Sequence, residues 1–277
     1  MNPIADCLAG HISPEVAVAR MLLAALPADA ITAELDAIPS PDPSWAAMRA
    51  LVTGRRQALD ALADQVRHTG ARHSAAGDTP AEGVAQIARF FDHAVAYSPE
   101  ASVALYSLGD PAILAAATQE IIDWLKLPPG ADMLDLGCGI GRIAAALAPR
   151  CQSVLGLDVS AGMVVEARRR HPALRFEQTA GQDLDALAPG SLDLIIAVDS
   201  FPYIVQTGPE TVAAHLAGAA RALRPGGALV ILNLSYRADP AQDLADALAW
   251  QAHGFTLEIA GTRPFRVWDG TAFVFRR

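Results

Sequence analysis

One short stretch limits what this chain can fold into: Met133-Leu134-Asp135-Leu136-Gly137-Cys138-Gly139-Ile140-Gly141-Arg142. An apolar run leads into it as a strand does, and Ile143 to Ala148 leaves it as a helix does. Between them lies a glycine turn whose backbone can approach a ligand closely, because three of its residues carry no Cβ. The N–H groups opening the following helix have no partner within the helix and offer partial positive charge to an anionic group. A dinucleotide fingerprint would read G-x-G-x-x-G, with a third glycine for helix–strand packing. Here Arg142 takes that third place and the glycines fall as G-x-G-x-G. Asp135, at the strand's end, would repel a pyrophosphate and hold an ammonium group, which favours a zwitterionic ligand.

A second strand-like run, Val154-Leu155-Gly156-Leu157-Asp158-Val159-Ser160, ends in an acid about 20 residues after the glycines, where a ribose-binding carboxylate belongs. Turn, acid and later landmarks together resemble the class I S-adenosylmethionine-dependent methyltransferases, over roughly residues 100 to 277. The resemblance implies a Rossmann-like core and S-adenosyl-L-methionine as co-substrate. It places Asp135 with Gly137, Cys138 and Gly139 at the methionyl end, Asp158 on the ribose and Met163 against the adenine, with Val159 also in the cofactor shell. Either acid alone reads equally as a helix cap or a solvated loop residue, and Met163 alone reads as core. After the third strand the family commonly carries an acid that meets the adenine amino group. Ala180 stands there in Thr179-Ala180-Gly181-Gln182-Asp183, so Asp183 or Gln182 is the substitute, and Gly181 joins them as a cofactor-binding candidate. Segments ahead of the core often close over the cofactor through a tyrosine, which makes Tyr106 a candidate beside the alternative of an ordinary packed tyrosine.

Alternating strands and helices with short connections predict an α/β fold: a doubly wound, mostly parallel seven-stranded sheet behind an N-terminal helical appendage. Strands are expected at 132–136, 153–158, 174–178, 192–198 and 228–234, the fifth after the stop signal Arg224-Pro225-Gly226-Gly227. By resemblance, 255–259 and 271–275 supply the sixth and seventh strands, the last antiparallel. Residues 1–78 read as the helical region and 79–277 as the methyltransferase domain. Ser13-Pro14-Glu15 starts one helix, and another runs from Trp45 to about His68. No chemical motif appears before residue 78, so this region reads as an appendage for packing or for homodimerisation. Residues 69–80 read as a linker, flanked by His68 and His73, which lack the neighbouring acids or cysteines of a metal site.

Composition narrows the partners. With 52% hydrophobic and 18% charged residues the chain can bury an α/β core. A formal net charge of −9 opposes a phosphate backbone, and the run Arg168-Arg169-Arg170 suits a helix C-terminus, so no nucleic acid is expected. Three cysteines at unpaired spacings indicate neither disulfides nor zinc. No stretch is long enough to span a bilayer and no basic residues precede the apolar run 16–26, so a cytoplasmic protein off the membrane is expected.

For the acceptor side, strand four runs into Val198-Asp199-Ser200-Phe201-Pro202-Tyr203. Amine methyltransferases carry an (Asp/Asn)-Pro-Pro-aromatic turn here, and this chain matches it only at Pro202-Tyr203. Asp199, Tyr203 and His215 are the catalytic candidates: a carboxylate to steer or deprotonate the acceptor, an aromatic face, and the nearest base. Against them stand a loop acid capping the next turn and a structural helix histidine. Asn233 and Tyr236 would line the acceptor pocket. The oxygen ligands for a metal are not assembled, so no metal is expected. The expected activity is methyl transfer to a small-molecule acceptor. An amine N-methyltransferase and a non-catalytic cofactor-binding regulatory or assembly protein are the alternatives.

Overall fold

The computed structural model describes residues 2–69 and 79–277, without the side chains of His68 and Thr69. The expected domain cut at residue 78, nearly all of the linker, and His73 lie outside the described residues. In chain order the first helices are α1 (Pro3–Leu8), α2 (Pro14–Leu23), α3 (Ala28–Ala37), α4 (Pro43–Thr69), α5 (Pro80–Tyr97) and α6 (Pro99–Val103). They are followed by α7 (Pro111–Trp124), α8 (Arg142–Leu147), α9 (Ala161–Arg170), α10 (Phe201–Gln206), α11 (Pro209–Ala222) and α12 (Pro240–Trp250).

The chain divides into two compact units. The first joins Met1–His73 to two later segments, Ser98–Ile121 and Phe265–Asp269, and the second holds the remainder. Within the first unit, Ser13 caps α2 by accepting the Val16 N–H (3.2 Å), and its hydroxyl donates to the Val267 carbonyl (3.0 Å). Arg20 bridges the carboxylates of Asp6 and Asp269. The helix expected from Trp45 is present but breaks at Arg55, where φ is −129°. Gly54 precedes the break, and the Arg55 guanidinium is engaged by the Asp110 carboxylate and the Leu108 carbonyl.

In the second unit the strands are β1 (Ala131–Leu136), β2 (Cys151–Asp158), β3 (Arg175–Gln178), β4 (Leu192–Val198), β5 (Leu223–Leu232), β6 (Thr256–Thr262) and β7 (Ala272–Arg276). They form one seven-stranded sheet in the order β3-β2-β1-β4-β5-β7-β6. β1 to β5 pair in parallel, and β7 lies antiparallel between β5 and β6. This is the doubly wound sheet that the sequence predicts. β5 differs at its start: it begins at Leu223, directly after α11, and carries Arg224 to Gly227 as a bulge. Leu192 pairs with Leu223 while Leu194 pairs with Ala228. The same residues that read as a stop signal are thus absorbed into the strand.

Because side chains alternate along a strand, Leu134 and Leu136 point into one core layer while Met133 and Asp135 take the other face. The first layer contains Ile195, Ala197, Leu229, Ile231, Phe273 and Phe275, with Leu216 and Ala219 of α11 packed over them. A smaller cluster gathers Cys138, Ala144, Val164, Ala167 and Phe176. It depends on glycine. A Cβ on Gly156 of β2 would stand 2.5 Å from the Phe176 ring, so Gly156 leaves the space that the ring fills.

Phe176 is 2% exposed. Phe176→Ala should therefore lower unfolding stability in denaturant titrations by about 3–5 kcal/mol. In that background Gly156→Ala should cost less than in the wild type, a non-additivity that a double-mutant cycle would measure.

Candidate functional site

The turn after β1 is held from below by β2. The N–H groups of Gly137 and Cys138 both donate to the Leu157 carbonyl (2.7 and 2.9 Å), and the Gly139 N–H donates to Oδ2 of Asp158 (2.8 Å). Gly137 has φ +73°, and a Cβ there would sit 2.2 Å from Cβ of Ser200, which follows β4. Ser200 donates in turn to the Leu136 carbonyl (2.5 Å). The glycine therefore serves two needs at once: left-handed backbone and the close approach of a neighbouring loop.

Both strand-end acids are buried. Asp135 is 1% exposed, and its Oδ2 accepts the Ala144 N–H of α8 at 3.0 Å. Desolvation pushes its pKa up to about 7, against the lowering effects of the Ala144 N–H and Arg142. Asp158 accepts the Gly139 N–H on one oxygen and the Ser160 N–H (2.9 Å) on the other. Burial raises it to about 6, with the Asp92 charge adding to the rise. Ser160 then caps α9 by accepting the Met163 N–H (3.0 Å). Met163 itself is buried.

Past β3, Gly181 has φ +68°, and a Cβ there would meet Val159 at 2.4 Å and Val84 of α5 at 3.0 Å. Gln182 and Asp183 are exposed, and Asp183 accepts the Asp185 N–H.

β4 and β5 end level with one another, Val198 pairing with Leu232. The next residue of each, Asp199 (φ 57°) and Asn233 (φ 67°), is left-handed, a conformation that Asp and Asn adopt more readily than other side chains. Asn233 Nδ2 donates to Asp199 Oδ1 at 2.6 Å, and Asn233 Oδ1 accepts the Thr271 N–H at 3.0 Å. The Tyr236 hydroxyl donates to the Asp199 carbonyl (3.2 Å). Tyr203 lies edge-to-face with Phe91 of α5 (5.1 Å) and with Tyr236 (5.6 Å). Desolvation, with the Asp199 charge, pushes the Tyr203 phenol well above its ordinary pKa.

Residues 133–227 match the family model described as a methyltransferase domain. The chain is 33% identical over 148 residues to a trans-aconitate 2-methyltransferase of Methylobacterium nodulans, covering 53% of this chain and 50% of that protein. It is 31% identical over 155 residues to a ribosomal protein L11 methyltransferase of Burkholderia cenocepacia, covering 53% and 48%. The chain thus spans about half the length of the curated relatives it matches. Among solved structures, a Haemonchus contortus phosphoethanolamine N-methyltransferase shares the fold with a TM-score of 0.55, at 17% identity over 71% of this chain and 49% of that one. Residues 133–227 are thus similar to a methyltransferase domain, and the fold is that of a solved methyltransferase.

In the matched region the β1 turn, Asp158 and the β4 exit line up along the carboxyl ends of adjacent strands, where ligands of open α/β sheets bind. The backbone cradle at Gly137 to Gly139 and the acceptor oxygens of Asp158 suit a ligand that brings hydroxyl and ammonium donors. His215 is buried in α11, its Nδ1 on the Thr211 carbonyl (2.8 Å), and desolvation holds its pKa below the ordinary value. Tyr106 belongs to the first compact unit, where it is buried beside Trp268. Among the described residues no three His, Cys, Asp or Glu side chains gather as a metal would require. Three contributors carry no motif in the sequence: Ser200 against Gly137, and Phe91 and Asp92 of α5. The one available signal was the capping box Thr79–Glu82 that opens α5, with reciprocal bonds of 3.0 and 3.3 Å.

Asp135 titrates above its unfolded value, so its ionisation costs native stability above about pH 7, and this cost vanishes toward the ordinary 3.8. Asp135→Asn keeps an acceptor for Ala144 and should stabilise the ligand-free protein by about 1–3 kcal/mol near pH 8. Melting curves taken at successively lower pH should show that gain fade; a gain that grew on acidification would contradict the burial account.

Proposed function

We propose that this chain transfers a methyl group from S-adenosyl-L-methionine to a small-molecule acceptor, without a metal. The observation that carries this reading is the joined pair of turns. The Gly139 N–H and Ser160 N–H fix a buried Asp158 carboxylate at the mouth of a glycine cradle. In the proposed roles Asp158 accepts the ribose hydroxyls, and Gly137, Cys138 and Gly139 with Asp135 shape the methionyl end. Val159, Met163, Gly181, Gln182 and Asp183 complete the cofactor shell on the adenine side. When bound, the cofactor supplies an electrophilic methyl on a sulfonium. The protein's share is then positioning, which can lower a barrier by roughly 7–11 kcal/mol.

The acceptor side is assigned to the exit of β4. Asp199, pinned by Asn233 and Tyr236, offers a carboxylate to steer or deprotonate the acceptor. The Tyr203 face can attract a cationic centre by about 0.5–2 kcal/mol. The same carboxylate amid Phe91, Tyr203 and Tyr236 supports a second reading, an amine N-methyltransferase. His215, with its Nδ1 on a backbone carbonyl, is the weaker candidate for a base. The matched relatives are named for a small acid and for a ribosomal protein, so the domain match does not choose an acceptor. The net charge of −9 supports an acceptor other than nucleic acid. No single helix among the described residues is long and apolar enough to cross a membrane, and a cytoplasmic, membrane-free protein is part of the proposal. Residues 1–78 are proposed as a helical region, with homodimerisation as its candidate role.

Calorimetry should register micromolar-scale binding of S-adenosylhomocysteine, roughly −8 kcal/mol. Asp158→Ala should weaken it by about 2–4 kcal/mol while the variant stays folded. No binding by a folded wild type would defeat the reading. Once isotope-labelled cofactor has revealed an acceptor in pooled metabolites, Asp199→Asn should lower turnover by about 10–100-fold and spare cofactor affinity. Lost affinity with intact turnover at saturation would move Asp199 to the cofactor side.

A further inference from the structure

α5 brings two consecutive side chains to the two halves of the site. Asp92 Oδ1 accepts the Ser160 hydroxyl proton (2.6 Å) and the Gly162 N–H (2.8 Å), so it caps the start of α9 together with Ser160. Its neighbour Phe91 lies edge-to-face on Tyr203 beyond β4. The fit around Asp92 is close: a Cβ on Gly162 would meet Asp92 Oδ1 at 3.1 Å and Val95 at 3.0 Å. One turn region therefore answers to two carboxylates. Asp158 holds the Ser160 N–H from the strand side, and Asp92 holds the Ser160 hydroxyl from the helix side. A capping helix placed only for packing would not need a charge here, since an apolar contact or a neutral acceptor would serve.

Resting on the cofactor reading above, we infer that Asp92 is a positioning residue for S-adenosylmethionine: by latching α5 to the turn after β2, it fixes where the Asp158 carboxylate stands for the ribose. The latch reaches the ligand only through Ser160 and Asp158. It also has an electrostatic signature, because the Asp92 charge faces Asp158 from α5. From β1, Asp135 faces the same group, while the N–H groups of Ser160, Gly139 and Val159 oppose both acids. The cofactor needs Asp158 ionised to accept its hydroxyls, so binding should fall as the pH drops through about 6. Removing the Asp92 charge while keeping its acceptor oxygen should move that fall to lower pH.

The experiment is calorimetric titration of the full chain with S-adenosylhomocysteine across pH, for wild type, Asp92→Asn and Asp92→Ala, with melting curves alongside. Asp92→Asn should keep the alkaline-side affinity within about threefold and shift the acid limb down by about half a pH unit. Asp92→Ala, which loses both bonds, should weaken binding about tenfold at every pH. A lower melting temperature with an unmoved limb and unchanged affinity would make Asp92 structural only and overturn the inference. If Asp92→Ala does not fold, the Asp92→Asn limb decides alone. Absence of binding by the wild type would refute the cofactor reading itself. Wild-type binding that neither variant alters would refute the Asp92 role and leave that reading standing.

Discussion

The bond from the Gly139 N–H to the Asp158 carboxylate is the constraint on which the rim at the carboxyl ends of the second unit's strands depends. It ties the turn after β1 to the end of β2, and through the other oxygen to the Ser160 N–H at the start of α9. Two turns from neighbouring strands become one rigid rim. The charge must be buried to make these bonds, and burial raises its pKa to about 6. Such a group destabilises the empty protein near neutral pH, yet stands ready to accept hydroxyl donors. A carboxylate surrounded by water would have no such readiness, since it would first have to lose its solvent.

The same trade appears at the exit of β4 in the form of backbone strain. Asp199 and Asn233 both take left-handed conformations at adjacent strand ends, a combination that holds only where neighbours over-determine it. The Asn233–Asp199 bond, the Thr271 N–H and the Tyr236 hydroxyl provide that determination. Ser200 fills the space that a side chain on Gly137 would need, so this exit is also locked to the β1 turn. The cofactor candidate region and the acceptor candidate region are therefore not independent parts. A change at Ser200 or Gly137 should be felt in both.

Much of this was legible in the sequence because the governing physics is local. A strand ending in an acid before a glycine turn announces β1, and the apolar run 192–198 announces a strand covered on both faces. The rule fails where pairing overrides turn chemistry. Arg224-Pro225-Gly226-Gly227 has the residues of a loop, but β4 holds Leu223 on one side and Ala228 on the other, so the loop becomes a bulge within β5. The grouping of Met1–His73 with Ser98–Ile121 and Phe265–Asp269 was likewise out of reach, since it rests on contacts such as Ser13 with Val267 and Arg20 with Asp269. Pairings across some 250 residues leave no periodic trace in either partner.

Asp92 shows where local reading stops for function as well. It stands partway along α5, an amphipathic helix whose pattern calls for polar residues at such places, so an acid there reads as a solvated face. What distinguishes it is the partner it finds: the cap of another helix, 68 and 70 residues away. A helix N-terminus is stabilised by one capping oxygen, and Ser160 already supplies that. The second acceptor orients the cap. Holding the Ser160 hydroxyl fixes which lone pair meets the Met163 N–H, and holding the Gly162 N–H removes one of the unpaired donors of α9. The turn is thereby fixed from two elements, and Asp158, bonded to the same serine, inherits its orientation from both.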